Sequence, residues 1–329
     1  MNIIFAFRFR YRRDHLSNLL KLNKIKNFRI YNFSGPVLYL FGILLSFLRF
    51  GKTISCDGNP LIKTNGINLW MGGTNFKIPT IYNNLNNNYV NMKSIFLKNE
   101  KLFQIYPLNV IKNNSESLKK IIYISSVNIS QDKNFLNFWK KNKGKILEDF
   151  TLIDNLYFWK RFDFYKNKNQ CFYYYRNAKR ILRFQIVKDL KKKYKENFIL
   201  KGSDWSKYGI DSLNDNYSFS KNLNLYNGNI CLDFGSISGS LTLYPRSIGI
   251  IESGGLLIQQ KQNDFNLIWK KKIFKNINSF KNYESLFFSI DFFLKNSHLY
   301  NNFIDIQNKN FDNAENLLNK QFKKIFMIR

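Results

Sequence analysis

From residue 178 onward the chain alternates between two periodicities, and that alternation restricts its fold more than any other feature. Ala178, Leu182, Ile186, Leu190 and Tyr194 recur every four residues, with Ile181 and Val187 beside them and Lys and Arg filling most of the remainder. That spacing makes one apolar stripe on a helix. A short apolar run, Phe198–Leu200, follows and empties into Gly202-Ser203-Asp204-Trp205. The pattern then repeats. Ile230–Phe234 reads as a strand, Pro245 opens a helix where its missing N–H costs nothing, Gly254 stands where a left-handed residue ends it, and Leu256–Ile258 reads as the next strand. Strand–helix–strand repeats imply an α/β fold, a parallel sheet covered by helices on both faces.

The same reading extends outward. Upstream, Ile3–Phe9, Phe28–Phe33 and Asn68–Met71 are expected strands, with a basic helix over Asp14–Leu22. Residues 51–66 read as turns, 82–92 as loop, and Lys112–Ser117 as a linker. Ile121–Ser126, IIYISS, is a buried-strand candidate opening a second unit, so the expected domains are 1–117 and 118–329. Residues 134–175 are aromatic and charged without a clear period and read only as helix and loop. Phe274–Ile277 is an expected strand, and Tyr283–Lys295 and Phe311–Phe326 are expected helices.

Charge and composition limit the function classes. Of 329 residues, 44% are hydrophobic, too many for a disordered chain. Lys, Asn, Ile, Phe and Tyr share AT-rich codons, so single Lys and Asn residues carry little weight. The formal net charge of +30 nevertheless attracts polyanions: nucleic acid, an anionic membrane face, or phosphorylated small molecules. Cys56, Cys171 and Cys231 lie far apart with no CxxC, and only two histidines occur, His15 and His298. Neither a disulfide framework nor a metal centre is expected, and a reduced, cytoplasmic compartment is the default. The N-terminus mixes Arg among its apolar residues and does not read as a signal peptide. The longest apolar run, Pro36–Leu48, is too short to span a bilayer. It reads as a buried helix, with shallow insertion in a membrane interface as the alternative.

The loop between Phe234 and Pro245 is unlike the rest of the chain. Ser238, Gly239 and Ser240 let backbone amides approach a ligand closely, at the carboxyl end of a strand and the mouth of a helix. Arg246 and Ser247 fall in the first turn, where a guanidinium suits a diphosphate. Glu252, near the helix end, could accept from sugar hydroxyls. The plain alternative is a connecting loop with one exposed ion pair. Neither a P-loop nor GxGxxG is present.

Over roughly residues 119–326 the order of elements resembles the group 1 glycosyltransferases of the two-domain GT-B fold, especially spore-maturation-type members. The residues that carry it are IIYISS, the helix with Arg176 and Arg180, LKGSDW, YPRSIGIIESGGLLIQ, and the helical SFKNYESLFFSIDFFLKN and NFDNAENLLNKQFKKIF. The resemblance implies two Rossmann-like domains facing across a cleft, with the C-terminal helix crossing back to the first. It implies transfer of a sugar from a nucleotide-sugar co-substrate to a glycan or lipid-linked acceptor, with no cofactor and no catalytic metal. Arg180, Gly202, Asp204, Ser238, Gly239, Ser240, Arg246, Ser247 and Glu252 would then hold the donor. Gly72, Gly73 and Thr74 would lie on the acceptor side. Asp14 and His15, at the end of the first strand, would be placed to take the acceptor proton.

Plainer alternatives stay open: a surface histidine, a simple turn at 72–74, a helix cap at Asp204 and a core indole at Trp205. The sequence also departs from the family pattern. The position three after the helix-opening Arg, commonly Glu, is Gly249 here. A relative without catalysis is therefore a second reading. A nucleic-acid binder is a third, suggested by the basic and aromatic stretch 158–180 although no RRM, KH, zinc-finger or helix-turn-helix motif occurs. Peripheral contact with the inner face of an anionic membrane fits the charge under any of these.

Overall fold

The computed structural model describes residues 120–213, 225–235, 245–262, 265 and 278–309, apart from the side chains of Lys168, Pro245, Ile248 and Glu252. It also describes the backbone of five strands before residue 83 and the helical positions Leu38, Leu40, Phe41 and Leu44. The chain divides into two compact units, Met1–Asn109 with Asn313–Arg329, and Val110–Asp312.

The first unit holds a sheet of five strands in the order β2-β1-β3-β4-β5. These are β1 Asn2–Phe7, β2 Arg29–Ser34, β3 Lys52–Cys56, β4 Ile67–Leu69 and β5 Ile81–Tyr82. All pair in parallel except β4 with β5. β3 replaces part of what reads in the sequence as turns. KTISC is a short alternating run between Gly51 and Asp57-Gly58, and its Thr, Ser and Cys hide a strand whose neighbour supplies the stabilisation. Leu38, Leu40, Phe41 and Leu44 are helical as expected, but each is more than half exposed, so the expectation of a buried helix fails at these positions.

The second unit repeats the strand order. β6 Ile121–Ile124, β7 Phe198–Lys201, β8 Ile230–Asp233, β9 Leu256–Gln260 and β10 Ser279–Phe280 lie as β10-β9-β8-β6-β7, all parallel. Strand β6 starts in the middle, the chain steps out to β7 on one side, then returns across β6 to build β8, β9 and β10 on the other. In such doubly wound sheets the crevice for ligands opens beyond the carboxyl ends at the reversal, between β6 and β8. Strands β6, β8 and β9 are buried along their whole length, as a sheet covered on both faces requires.

The helices explain why part of the pattern was hidden. α1, Lys133–Glu148, starts at Asp132, whose carboxylate accepts from the N–H groups of Asn134 and Phe135. α2 runs Lys168–Tyr194, ten residues earlier than the four-residue spacing announces. Its first turns bury Cys171, Tyr174 and Tyr175 on the stripe that Ala178 and Leu182 continue; the spacing is obscured there because Phe172 and Tyr173 fill the positions between them with further aromatics. Phe138 of α1 packs among Trp159, Phe162, Phe164 and Tyr174, a satellite aromatic core that accounts for the period-free stretch 134–175. α3, Pro245–Glu252, and α4, Tyr283–Lys295, fall where expected. Gly254 has φ +74° past α3, and Asn282 and Ser285 form a reciprocal cap on α4. The expected strand at 274–277 lies outside the described residues, and β10 follows it directly. The expected helix at 311–326 also lies outside them.

Candidate functional site

Beyond the carboxyl ends of β6, β7 and β8 lies a cavity of about 400 Å³, the size range of small-molecule sites. Its walls come from four places: Ser125 to Asn128 after β6, Asp204 and Trp205 after β7, Gly235 after β8, and the arginines of α2 and α3.

The first two walls are zipped together past the strands. Ser125 N–H donates to Lys201 O (2.9 Å) and Val127 N–H to Ser203 O (3.2 Å). The approach is so close that a Cβ at position 202 would overlap the Ser125 carbonyl oxygen, and Gly202 has φ +145°. Trp205 is buried; its indole N–H donates to Ser125 O at 2.5 Å and its ring stacks on Phe184. The turn leaves Asp204 at φ +70°, a left-handed conformation that aspartate tolerates better than most residues. Its carboxylate pairs with Lys207 at 2.6 Å, and hydrogen bonds from Lys207 and Ser203 hold its pKa below the usual carboxylate range.

The third wall is organised by Asp233, the last residue of β8 and fully buried. Its carboxylate accepts from Gly235 N–H (2.9 Å) and from the Ser247 hydroxyl, and it pairs with the Arg246 guanidinium at 3.4 Å. One buried acid thus ties the strand end, the start of the loop and the first turn of α3. Ser247 also accepts from Gln259 (3.2 Å), and Arg246 lies 5.7 Å from the Tyr123 ring centroid. Arg246 is 19% exposed, toward the cavity that it lines.

Helix α2 brings Arg176, Arg180 and Arg183 to one face at spacings of four and three. Arg183, 7% exposed, donates to the carbonyls of Phe234 (3.0 Å) and Gly235 (2.6 Å), closing the end of β8 from below. Arg180 is half-buried. Its described hydrogen bond is a long one, 3.5 Å to Asn177 Oδ1, and no described carboxylate pairs with it. Burial, and then the charge of Arg183, pull the Arg180 pKa below its ordinary value. Beneath them Lys179 pairs with Asp154 at 2.7 Å, 2% and 1% exposed, and Tyr175 donates to the same carboxylate at 2.7 Å. Burial lowers the Lys179 pKa, with Asp154 opposing and Arg183 adding to the shift.

The cavity therefore has three guanidinium walls, with Asp233 committed to Arg246 and Asp204 to Lys207. Among the described residues no group of three His, Cys, Asp or Glu side chains could hold a metal ion.

Of the residues expected from the sequence, Arg180, Asp204 and Arg246 line this one cavity, with Trp205 beside them. Gly202 has a different place: it permits the close pass of β6 and β7. Ser247 is fully buried behind Arg246 and serves Asp233 rather than the cavity. Gly249 is buried within α3. Ser238, Gly239, Ser240, Asp14, His15, Gly72, Gly73 and Thr74, and the side chain of Glu252, lie outside the described residues. Sequence reasoning missed Arg183, although it sits one turn from Arg180 on an otherwise buried face. It also missed Asp233, an acid closing the apolar run ICLD. Among the described residues no helix is long and apolar enough to cross a membrane. Comparison with protein-family models, curated proteins and solved structures finds no match to this chain, so the functional reading rests on the cavity itself.

Proposed function

We propose that this chain is a glycosyltransferase of the two-domain GT-B type, moving a sugar from a nucleoside-diphosphate donor to a glycan or lipid-linked acceptor. The observation that carries the reading is the arginine-walled cavity at the reversal point of the second sheet. In this reading the diphosphate would lie between Arg180 and Arg246, which both line the cavity. As the bond from the sugar's anomeric carbon to the phosphate oxygen breaks, negative charge gathers on the leaving diphosphate. The Arg246 guanidinium, held by Asp233 before the donor binds, stabilises that charge with little reorganisation, and Arg180 adds a second cation. Arg183 and Asp233 touch no phosphate in this scheme; they hold the wall rigid. Asp14 and His15 remain the proposed acceptor-side base.

A related protein that keeps the diphosphate site but has lost transfer is the second reading, favoured by Gly249 in place of the family's glutamate. The nucleic-acid reading has fewer aromatic side chains to draw on than the stretch 158–180 suggests, with Tyr173 the exposed one. In the stretch 158–180, Phe158, Trp159, Phe172, Tyr174 and Tyr175 are buried in the core and cannot stack on bases.

Thermal shift against a panel of nucleoside diphosphates and nucleotide sugars tests the proposal, followed by product analysis with the donor that binds. Stabilisation by at least one diphosphate and release of the free diphosphate from its sugar conjugate support transfer. Stabilisation without turnover supports the inactive relative. No stabilisation by any member rejects both.

A further inference from the structure

Two amide side chains at the carboxyl end of β9 are buried with polar atoms left unmatched. Gln260 is 2% exposed and Gln262 6%. Among the described residues, Gln260 Nε2 and Gln262 Oε1 have no hydrogen-bond partner. A buried donor or acceptor left unmade is costly, native proteins keep few of them, and a ligand that completes the bond is one reason to keep one.

Both amides stand beside the arginine cavity. Gln260 ends β9, and Asp233 pairs in register with Gln259, so Gly235 and Gln262 follow neighbouring strands at the same end of the sheet. There they touch. A Cβ at Gly235 would meet Gln262 Nε2 at 2.9 Å and Oε1 at 3.5 Å, so the amide lies against the Gly235 backbone. Gly235, at φ +70°, admits that approach because it has no side chain, and it lines the cavity with Arg183 and Arg246. Gln262 Nε2 makes only a long bond, 3.4 Å, to the Gln260 carbonyl oxygen. One donor and one acceptor, two residues apart, are left over.

We propose that Gln260 and Gln262 bind uncharged hydroxyl groups of the donor, next to its diphosphate. The inference rests on the diphosphate reading of the cavity. An ionised phosphate oxygen only accepts and an ammonium group only donates, whereas a hydroxyl does both and so matches a donor beside an acceptor. The arginines meet the charge and the amides meet the neutral polyol joined to it. Two hydroxyl-bearing rings flank the diphosphate of a nucleotide sugar, the ribose and the transferred sugar, and the same chemistry recognises either. A carboxylate or an ammonium group in that place would leave one of the two atoms unmatched.

Isothermal titration of the full chain and of the double variant Gln260→Met, Gln262→Met tests it. Methionine keeps the length of the side chain without the amide. The probes are inorganic pyrophosphate, the nucleoside diphosphate that gives the largest thermal shift, and its hexose conjugate. Pyrophosphate affinity should stay within about twofold of the wild type, since no amide contact is lost. If the ribose supplies the hydroxyls, the diphosphate and the conjugate should weaken alike, by about three- to tenfold; if the transferred sugar does, the conjugate alone should weaken by that factor. Two unmatched atoms are removed, so the variant should melt at or above the wild-type temperature. Unchanged affinity for all three probes overturns the proposal, and so does an equal loss for all three, which would put the effect on the arginine wall. A melt lowered by about 5 °C or more overturns it too, because the amides would then serve the fold. A wild type that binds none of the probes rejects the diphosphate site itself, and this inference with it.

Discussion

Arg180 and Arg183 lie three residues apart on one helix and line one cavity, yet Arg183 is tied to the end of β8 while Arg180 is the proposed ligand contact. Replacing each in turn with Met separates the two roles. In Arg183→Met the carbonyls of Phe234 and Gly235 lose a buried guanidinium that reaches them at 3.0 and 2.6 Å. A buried acceptor stripped of its donor costs about 1–3 kcal/mol. Two such carbonyls would cost about 2–6 kcal/mol, less what is regained by no longer burying a cation near Arg180 and Lys179. The expected net loss is about 2–4 kcal/mol, and in a unit of this size each kcal/mol moves the midpoint by about 2–4 °C, so the melt should fall by roughly 5–15 °C. Arg180→Met removes a single long hydrogen bond and relieves repulsion from Arg183, so stability should change by less than about 1 kcal/mol. Tryptophan fluorescence is a suitable probe, because Trp139, Trp159 and Trp205 are all buried in the second unit. Diphosphate affinity should show the reverse order, with Arg180→Met the weaker binder relative to its own stability. Equal destabilisation by the two substitutions, or none from Arg183→Met, would refute the assignment of one as wall and the other as ligand contact.

Lys179→Met removes the cation paired with the buried Asp154 carboxylate and should cost about 3–5 kcal/mol in urea unfolding, whereas Tyr175→Phe should cost about 1–3 kcal/mol. Gly202→Ala drives a methyl group into the Ser125 carbonyl oxygen at φ +145°, so a loss of about 3 kcal/mol or more is expected, with the Trp205 emission shifted as its bond to Ser125 is pulled apart. Burial pushes the Cys171 thiol up to about 12. Its thiolate fraction at pH 8 is then about one in ten thousand, rising only as pH approaches the shifted value, so alkylation mapped by mass spectrometry should spare Cys171 in the native protein and reach it in urea. Rapid native labelling of Cys171 at neutral pH would contradict its placement.

The sequence carried the second unit further than the first because its elements announce themselves by burial. IIYI, ICLD and LLIQQ are apolar runs bounded by turn residues, and Pro245 and Gly254 mark both ends of α3. Where aromatics stand at successive positions, as Phe172, Tyr173, Tyr174 and Tyr175 do in the first turns of α2, the period is lost in the run although Tyr174 and Tyr175 are buried like Leu182. β3 was hidden for another reason: a run of Thr, Ile, Ser and Cys acquires its strand character from pairing with β1. At the site, Arg180 and Arg246 and the turn at Asp204 were legible because each stands at a strand end, a helix mouth or a helix face where the local pattern already marks a turn or a terminus. Asp233, Arg183 and the Lys179–Asp154 pair were not. Their importance lies in partners about ten to fifty residues away, and only the three-dimensional arrangement brings those together. Ser247 shows the same limit from the other side, since its position in the first turn of α3 suits a ligand but its hydroxyl is spent on Asp233.

Isothermal titration of the full chain with whichever nucleoside diphosphate gives the largest thermal shift tests the anion cavity most directly. The account predicts one site, competed by excess inorganic pyrophosphate. Arg246→Ala and Arg180→Met should each weaken it by about ten- to a hundredfold, as expected for loss of a charge-assisted contact to phosphate. Binding that is unaltered in both variants, or no heat with any diphosphate, would contradict it.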